Sequence, residues 1–198
     1  MAEKERWEWI QSWCDDTGSR DLPRVLLVGD SITRGYQDMV RKKLAGICYV
    51  DYIATSYAVD SSIYNSIVRA MALDDKYDVI HINHGLHGKH MAKRTYKSRM
   101  KKLLAFLSKK SRLILANTTN VYHYGTHRPD GAWMKRVRER NQAISELASE
   151  LNLPVDDLFS ACLTVEWEGR SIDGTHYEAA GYDILSASVA ESIKKALK

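Results

Sequence analysis

Three side chains in this sequence have the types and the spacing that nucleophilic catalysis requires. Ser31 follows an unbroken aliphatic run at residues 25–28, while Asp173 and His176 lie three positions apart near the other end of the chain. A serine hydroxyl is a poor nucleophile until a base such as histidine accepts its proton. The histidine in turn needs an acceptor on its second ring nitrogen, which a carboxylate supplies. Ser31, His176 and Asp173 are therefore candidates for nucleophile, base and orienting group.

Each of these residues also has a simpler structural interpretation. Asp and Ser are preferred at helix N-caps, so Asp30 and Ser31 could do no more than begin a helix. Asp173 followed by Gly174 is typical of a turn, and His176 could be a surface residue near a helix start. The catalytic interpretation therefore depends on the three side chains meeting in space.

Alternating strands and helices would have to position these residues. The aliphatic run at 25–28 indicates a strand buried on both faces, and we predict further strands at 48–55, 78–83, 112–119 and 153–159. Helical patterning separates the strands, over residues 33–45, after residue 61, and over 92–109, 132–151 and 178–197. This order implies right-handed crossovers and a five-stranded parallel sheet in a three-layer α/β/α sandwich.

The carboxyl ends of parallel strands lie on one edge of the sheet, where ligands of open α/β folds bind. We expect that edge to carry Ser31 and the loops at 55–62, 83–90 and 117–130, and the loop after the fifth strand to bring Asp173 and His176 to it. Ser31 would also lie at the positive end of a helix, which favours an anion. The topology thus predicts that the two ends of the chain meet.

Length and composition indicate one globular domain. The chain has 198 residues, of which 44% are hydrophobic and 27% charged, which is enough for one well-formed core but not for two. We place this domain at residues 23–198. Trp7, Ile10, Trp13 and Cys14 recur at helical spacing, so residues 1–22 are predicted to hold an amphipathic helix packed on the domain.

Sequence patterns also bear on where the protein is found and on what it binds. The N-terminus lacks the apolar core of a signal peptide, no apolar run reaches membrane-spanning length, and the three cysteines have no metal-ligand or disulfide spacing. We therefore expect a cytoplasmic protein without a membrane partner. Basic residues concentrate at 89–102 and 135–140, and we interpret both segments as solvated helix faces rather than as a nucleic-acid surface. The oligomeric state stays open.

Two sequence blocks together resemble a known family. The block GDSIT contains Ser31, the block DGTHYEAAGY contains Asp173 and His176, and they resemble the first and last signature blocks of the SGNH, or GDSL-type, hydrolases. The resemblance covers nearly the whole chain and implies a flavodoxin-like α/β/α fold without a cofactor. By the family pattern Ser31 would be the nucleophile, His176 the general base and Asp173 its partner.

The middle of the chain departs from the family pattern. The family's oxyanion hole combines the N–H of the nucleophile, a glycine N–H after the second strand and an asparagine side chain after the third. Here Val59 takes the glycine position, which keeps a backbone N–H but loses the conformational freedom of glycine. His87 takes the asparagine position, and a histidine N–H can also donate to an oxyanion. Asn83 is the alternative donor if the loop is aligned differently.

Other polar residues near the predicted edge have weaker assignments. Four histidines fall at every third position, but the glycines between them break any common face, so no metal site is expected; they are His81, His84, His87 and His90. The candidate substrate-binding residues are Asp30, Tyr122, His123 and Trp133. The long loop that contains most of them also carries Tyr124, His127 and Arg128, and all of these side chains could instead pack on the loop itself.

These observations predict a serine esterase that acts through an acyl-enzyme. The aromatic and polar loop favours a small-molecule ester with a small acyl group, such as an acetyl ester on a carbohydrate, over a long lipid. A thioesterase or lysophospholipase of the same fold is an alternative. A non-catalytic binding module is a second alternative, because the oxyanion residues at 59 and 87 depart from the family pattern.

Overall fold

Strands and helices alternate along the computed structural model, which describes residues 3–198. The strands are β1 (Ile10–Trp13), β2 (Arg24–Gly29), β3 (Tyr49–Thr55), β4 (Val79–Asn83), β5 (Arg112–Ala116) and β6 (Val155–Asp156). The helices are α1 (Ser31–Lys43), α2 (Ser62–Asp74), α3 (Lys93–Leu107), α4 (Gly131–Leu151), α5 (Leu158–Leu163) and α6 (Ala179–Leu197), and a short 3-10 helix spans Trp167–Gly169. No helix in the described range combines the length and the apolar character needed to cross a bilayer.

The strands form one sheet in the order β1–β3–β2–β4–β5–β6. The five strands β2 to β6 pair in parallel, with Val25 of β2 opposite Val50 of β3 on one side and Val79 of β4 on the other. The predicted α/β/α sandwich is therefore confirmed. The sheet has six strands rather than five, because β1 joins it as an antiparallel edge strand next to β3.

Side chains of the central strand β2 alternate between two apolar cores, one on each face of the sheet. Val25 and Leu27 pack with buried residues of α1, α5 and α6, whereas Leu26 and Val28 pack with those of α2, α3 and α4. This is why β2 reads as an unbroken apolar run: neither face of it meets water. Helices on both faces complete the three layers, and Ser31 follows directly where β2 ends.

The helix predicted in residues 1–22 is wrong for the described part of that segment, and Met1 and Ala2 lie outside it. Ile10–Trp13 is a strand whose backbone pairs with β3, from Ile10 opposite Thr55 to Trp13 opposite Tyr52. A helix there would have left the edge of β3 without hydrogen-bond partners. The aromatic spacing is misleading because the side chain of Trp13 is 59% exposed, and Trp9 instead packs against the core.

A buried arginine at the start of β2 shapes the turn that follows β1. The guanidinium of Arg24 donates to the Asp51 carboxylate over 2.8 Å and to the carbonyls of Asp15 and Asp16 over 2.6 and 2.9 Å. Tyr77 donates to the other oxygen of Asp51 over 2.8 Å. The charge of Arg24 is therefore paired and hydrogen-bonded, as burial requires. This contact fixes the path of the N-terminal segment along β3.

The packing of α1 on α6 leaves no room for a side chain at Gly35. A Cβ atom there would lie 2.0 Å from the ring of Tyr182. We expect Gly35→Ala to lower the free energy of unfolding by about 1–3 kcal/mol, even though alanine is the better helix former. Urea denaturation followed by circular dichroism measures this change.

Gly18→Ala is the matched control, because a Cβ at Gly18 meets no atom within 4 Å. Its effect should stay within about 0.5 kcal/mol. If Gly35→Ala is as stable as the parent chain, α1 and α6 do not pack as described.

Candidate active site

Ser31 is the first residue of α1 and lies where β2 ends, as the sequence predicts. Its neighbour Asp30 is fully buried and caps the helix, with Oδ1 accepting from the Ile32 N–H over 3.1 Å. The other oxygen of Asp30 accepts from the N–H groups of Gly85 and Leu86, over 3.0 and 3.1 Å. One carboxylate thus joins the start of α1 to the loop after β4. The structure places Asp30 below the surface, with both oxygens occupied by backbone groups.

Asp173 and His176 form a hydrogen-bonded pair in the loop before α6. The distance from His176 Nδ1 to Asp173 Oδ2 is 2.6 Å, and Asp173 Oδ1 accepts from the N–H groups of Thr175 and His176, over 2.8 Å each. Burial alone would raise the pKa of Asp173, but the hydrogen bonds from the His176 backbone and ring lower it below its usual value. Asp173 is therefore ionised near neutral pH, and it holds the ring with Nδ1 facing the carboxylate.

The long loop after β5 supports the loop that carries this pair. The Tyr122 N–H donates to the Gly174 carbonyl, and the Gly125 N–H donates to the Ile172 carbonyl, over 2.8 Å each. Gly174 has a φ of +75°, and a Cβ there would lie 2.3 Å from the Tyr122 carbonyl oxygen. Glycine is therefore required at this position for two reasons, its backbone conformation and its close approach to the long loop.

The structure brings the serine and histidine elements together without a hydrogen bond between the two side chains. Tyr182 of α6 packs on Gly35 of α1. Burial, and then the charges of Asp30 and Asp173, raise the pKa of Tyr182 to about 12 despite an opposing backbone hydrogen bond, so both carboxylates lie near one phenol. His176 Nε2 is buried and has no partner among residues 3–198. Catalytic hydrogen bonds are often long in the absence of substrate, so this geometry is compatible with a triad.

Two backbone N–H groups at the predicted oxyanion positions have no hydrogen-bond acceptor in the described part of the chain. Neither the Ser31 N–H nor the Val59 N–H donates to a protein atom in the described range. Val59 is not among the residues with positive φ, so this turn does not need the conformational freedom of glycine. Asn83 is fully buried, and its amide donates to the Asn117 carbonyl over 2.9 Å. One N–H of the Asn83 amide is thus engaged within the sheet edge, and His87 stays the preferred candidate for the third donor.

His87 lies in the loop after β4 and is held by a residue from the N-terminal segment. Its Nδ1 is 2.9 Å from Glu5 Oε1, and its Nε2 is buried without a partner in the described structure. Burial opposes protonation of His87, but the hydrogen bond to Glu5 and the charges of Asp30, Glu5 and Glu8 outweigh it and raise the pKa of His87. Protonation of the ring, which places an N–H on both nitrogens, is therefore more favourable than in an unperturbed histidine.

The four evenly spaced histidines have four different environments. His81 bonds to Asp156 and His90 to Asp60, over 2.9 Å each, whereas the ring of His84 packs on Tyr64 with 4.6 Å between ring centroids. Burial lowers the pKa of His84 to about 4, so its ring is neutral at physiological pH. No group of three or more metal-ligating side chains converges within residues 3–198.

The candidate substrate-binding residues of the long loop lie in two different places. Trp133 lines a cavity of about 310 Å³ together with Gly88, Lys89 and residues of the N-terminal segment, and the Lys89 ammonium lies 3.9 Å from the Trp133 ring centre. Tyr122 instead packs on Trp167 and under Arg170, and His123 is largely exposed, with Nδ1 3.9 Å from Asp130. Tyr124 is exposed, and His127 stacks on Trp167.

Sequence reasoning missed Glu5 and Trp9. Both belong to the segment predicted as a helix, yet Glu5 bonds to His87, and the edge of the Trp9 ring meets the His87 ring with 6.4 Å between centroids. No local signal marks these contacts, because Glu5 and His87 are far apart along the chain. Only the antiparallel pairing of β1 with β3 takes the N-terminal segment to this edge of the sheet.

The buried carboxylate of Asp30 gives a stability prediction. Asp30→Asn keeps the shape but turns one acceptor oxygen into an NH₂ group, which must face a backbone N–H. We expect the free energy of unfolding to fall by about 2–3 kcal/mol, since at least one buried donor loses its acceptor. Equilibrium urea denaturation gives the value.

Asp130→Asn is the matched control, because Asp130 caps α4 through the N–H groups of Ala132 and Trp133, over 3.1 Å each. Asparagine is an equally good N-cap, so this change should cost less than about 0.5 kcal/mol. Equal stability losses in the two variants would contradict the special role of Asp30.

Comparisons with known proteins agree on the fold. No protein-family model matches the chain, and no curated protein matches it. Among solved structures, a lipase/acylhydrolase from Enterococcus faecalis is 22% identical with a TM-score of 0.68, covering 88% of this chain and 96% of that one. A GDSL-like lipase from Bacteroides thetaiotaomicron is 18% identical with a TM-score of 0.69, covering 87% and 88%.

An acetylxylan esterase from Geobacillus stearothermophilus, solved as a catalytic mutant, is 16% identical. Its TM-score is 0.71, and the match covers 86% of this chain and 94% of that one. The TM-scores and coverages show that the three structures share their overall fold with the chain described above. The chain therefore has the fold of the SGNH, or GDSL-type, hydrolases.

Proposed function

We propose that this protein is a serine esterase with Ser31 as nucleophile, His176 as general base and Asp173 as the group that orients the base. The observation that carries the proposal is the state of His176. Its Nδ1 is bound to an ionised carboxylate, and its buried Nε2 has no partner in the described chain. A histidine arranged in this way can accept the serine proton at Nε2, while Nδ1 keeps its own proton.

The reaction would then follow from the free donors and acceptors at the sheet edge. Ser31 Oγ attacks the ester carbonyl while His176 Nε2 accepts its proton. The N–H groups of Ser31 and Val59 and the Nε2–H of His87 stabilise the negative oxygen of the tetrahedral intermediate. His176 next donates the proton to the leaving alcohol, which leaves an acyl group on Ser31. Water, deprotonated by His176, attacks the acyl-enzyme and releases the acid.

Solved structures of the same fold support this assignment. The acetylxylan esterase from Geobacillus stearothermophilus is represented by two catalytic mutants, one with a histidine and one with a serine replaced by alanine. A serine and a histidine are also the residues that this chain presents at the start of α1 and before α6. Catalysis in that esterase thus depends on the two residue types that we assign here.

The cavity lined by Glu5, Gly88 and Trp133, rather than by Ser31 or His176, supports a small, polar substrate. At about 310 Å³ it lies at the lower end of the range for ligand pockets. Charged side chains of the N-terminal segment line it, together with Ser56 and Trp133. Such a lining suits a hydroxylated group better than an alkyl chain, since burying carboxylates against methylenes leaves them without hydrogen bonds. We therefore propose a short acyl ester of a polar alcohol, an acetylated carbohydrate being one such compound.

The alanine variant of Ser31 tests the mechanism. Ser31→Ala should reduce turnover of p-nitrophenyl acetate by at least about a thousandfold, because the acyl-enzyme cannot form. Continuous release of p-nitrophenol measures the rate, and circular dichroism checks that the variant folds. Ser98→Ala is the matched control, since Ser98 is exposed on α3 and is not part of the proposed site. Turnover by Ser31→Ala at the parent rate would refute the assignment.

Chain-length preference tests the substrate class. We expect kcat/KM to fall from the acetyl to the octanoyl ester of p-nitrophenol, because the polar cavity cannot bury the longer chain favourably. A rise along this series would instead point to the thioesterase or lysophospholipase alternative.

A binding module without catalysis is the second candidate, and the absence of a hydrogen bond between Ser31 and His176 within the described residues is the observation that favours it. A fluorophosphonate probe separates the two candidates, because it labels only an activated serine. Mass spectrometry should find the label on Ser31 of the intact protein. An unlabelled protein that still binds acetylated sugars would establish the binding module.

A further inference from the structure

The N-terminal segment before β1 is anchored across the edge of the sheet where the oxyanion donors lie. The Trp9 carbonyl accepts from Thr55 Oγ1 and from the Ser56 N–H, over 2.7 and 3.2 Å, and the Trp9 N–H donates to Ser56 Oγ over 2.8 Å. Glu8 accepts from the same Ser56 hydroxyl over 2.7 Å. These bonds hold the backbone beside the carboxyl end of β3, from where Glu5 reaches His87.

The contact between Glu5 and His87 decides which protonation state of His87 can serve the reaction. A carboxylate accepts hydrogen bonds only, so His87 Nδ1 must carry a proton to bond with Glu5 Oε1. In the neutral ring, Nε2 would then hold a lone pair and would repel an oxyanion. In the imidazolium, Nε2 carries a proton and can donate to the oxyanion. His87 must therefore be protonated if its Nε2 is to donate to an oxyanion.

We propose that Glu5 is a positioning residue for catalysis, holding His87 as an imidazolium whose free Nε2–H completes the oxyanion hole. This inference rests on the esterase function proposed above and deepens it. The family places a neutral asparagine amide at this point, which donates at any pH. The present chain would use a charged donor with its own counter-ion, supplied by the segment that precedes β1.

The charged groups that face His87 come from three parts of the chain. Glu5 and Glu8 of the N-terminal segment and Asp30 at the end of β2 all favour the imidazolium. His84, whose ring centroid is 6.1 Å from that of His87, is held neutral by burial and adds no positive charge near pH 7. Lys89 of the loop after β4 acts on Glu5 and helps to keep that carboxylate ionised.

The pKa shifts of Glu5 and His87 have the directions expected for a carboxylate paired with an imidazolium. Burial alone would raise the pKa of Glu5, but the hydrogen bond and charge of His87 lower it, while the pKa of His87 is raised above its ordinary value. The imidazolium is thus present below the raised pKa of His87 and is lost as pH rises through it. Activity that depends on this donor should decline on the alkaline side.

The pH profile of kcat tests the role of Glu5. Glu5→Gln keeps an acceptor for Nδ1–H but removes the charge, so the alkaline decline should move to lower pH. On the alkaline side of the profile, kcat falls about tenfold for each unit by which the pKa of His87 drops. KM should change by less than about twofold. Glu191→Gln is the matched control, since it removes the same charge from an exposed residue of α6, whose carboxylate lies 3.9 Å from the Lys195 ammonium. Its profile should match that of the parent chain.

Two further measurements separate a positioning role from a structural one. On a His87→Asn background, whose amide donor needs no proton, the effect of Glu5→Gln on kcat should shrink to less than about twofold. NMR titration of the His87 ring should give a lower pKa in Glu5→Gln than in the parent, whether or not a substrate is known.

An unchanged His87 pKa in Glu5→Gln overturns the proposal. Equal losses from Glu5→Gln in the parent chain and on the His87→Asn background also overturn it, because Glu5 would then act through the fold alone. Neither result touches the esterase assignment, which depends on Ser31→Ala.

Discussion

The buried carboxylate of Asp30 is the interaction on which the candidate site depends. It accepts hydrogen bonds from one N–H at the start of α1 and from two N–H groups of the loop after β4. A charge in the interior is tolerated only when such donors surround it, and the positive end of a helix stabilises it further. Because one side chain makes all three bonds, Ser31 and the loop that carries His87 cannot move independently. The candidate nucleophile and the proposed third oxyanion donor are therefore positioned relative to each other by one buried residue.

Polar groups without partners gather along the same edge of the sheet. Most residues in the range 3–198 that have a buried side-chain atom without a hydrogen-bond partner lie at or after the carboxyl ends of the strands, namely Asp60, Asn83, His84, His87, Thr118, Thr119 and His176. A buried carboxylate away from that edge is paired: Asp51, near the start of β3, accepts hydrogen bonds from both Arg24 and Tyr77. Leaving a buried polar atom unpaired costs about 1–3 kcal/mol, so such atoms are normally rare. Because these atoms cluster at one edge of the sheet, we infer that a ligand bound there supplies their missing hydrogen bonds.

Much of the fold could be predicted from the sequence because its signals are local. An aliphatic run with no polar alternation predicted β2, and alternating strand and helix patterns predicted the sandwich, which the structure confirms. The N-terminal segment could not be predicted in this way. Its aromatic spacing fits a helix, yet the unpaired edge of β3 makes a strand the better conformation for residues 10–13. Edge pairing joins residues that are distant along the chain, and no local pattern records it.

In the candidate site, too, some residues could be predicted from the local sequence and others could not. The sequence by itself determined Ser31, Asp173 and His176 as candidates, because a serine at a strand-to-helix turn and an aspartate three residues before a histidine are patterns of neighbouring residues. Only the tertiary structure decided three contacts. The buried Asp30 carboxylate joins α1 to the loop after β4, the Asn83 amide donates to the Asn117 carbonyl, and Glu5 bonds to His87. Each of these contacts joins separate segments of the chain. Such contacts depend on how strands pair and loops pack, and the linear order of residues does not contain that information in a local form.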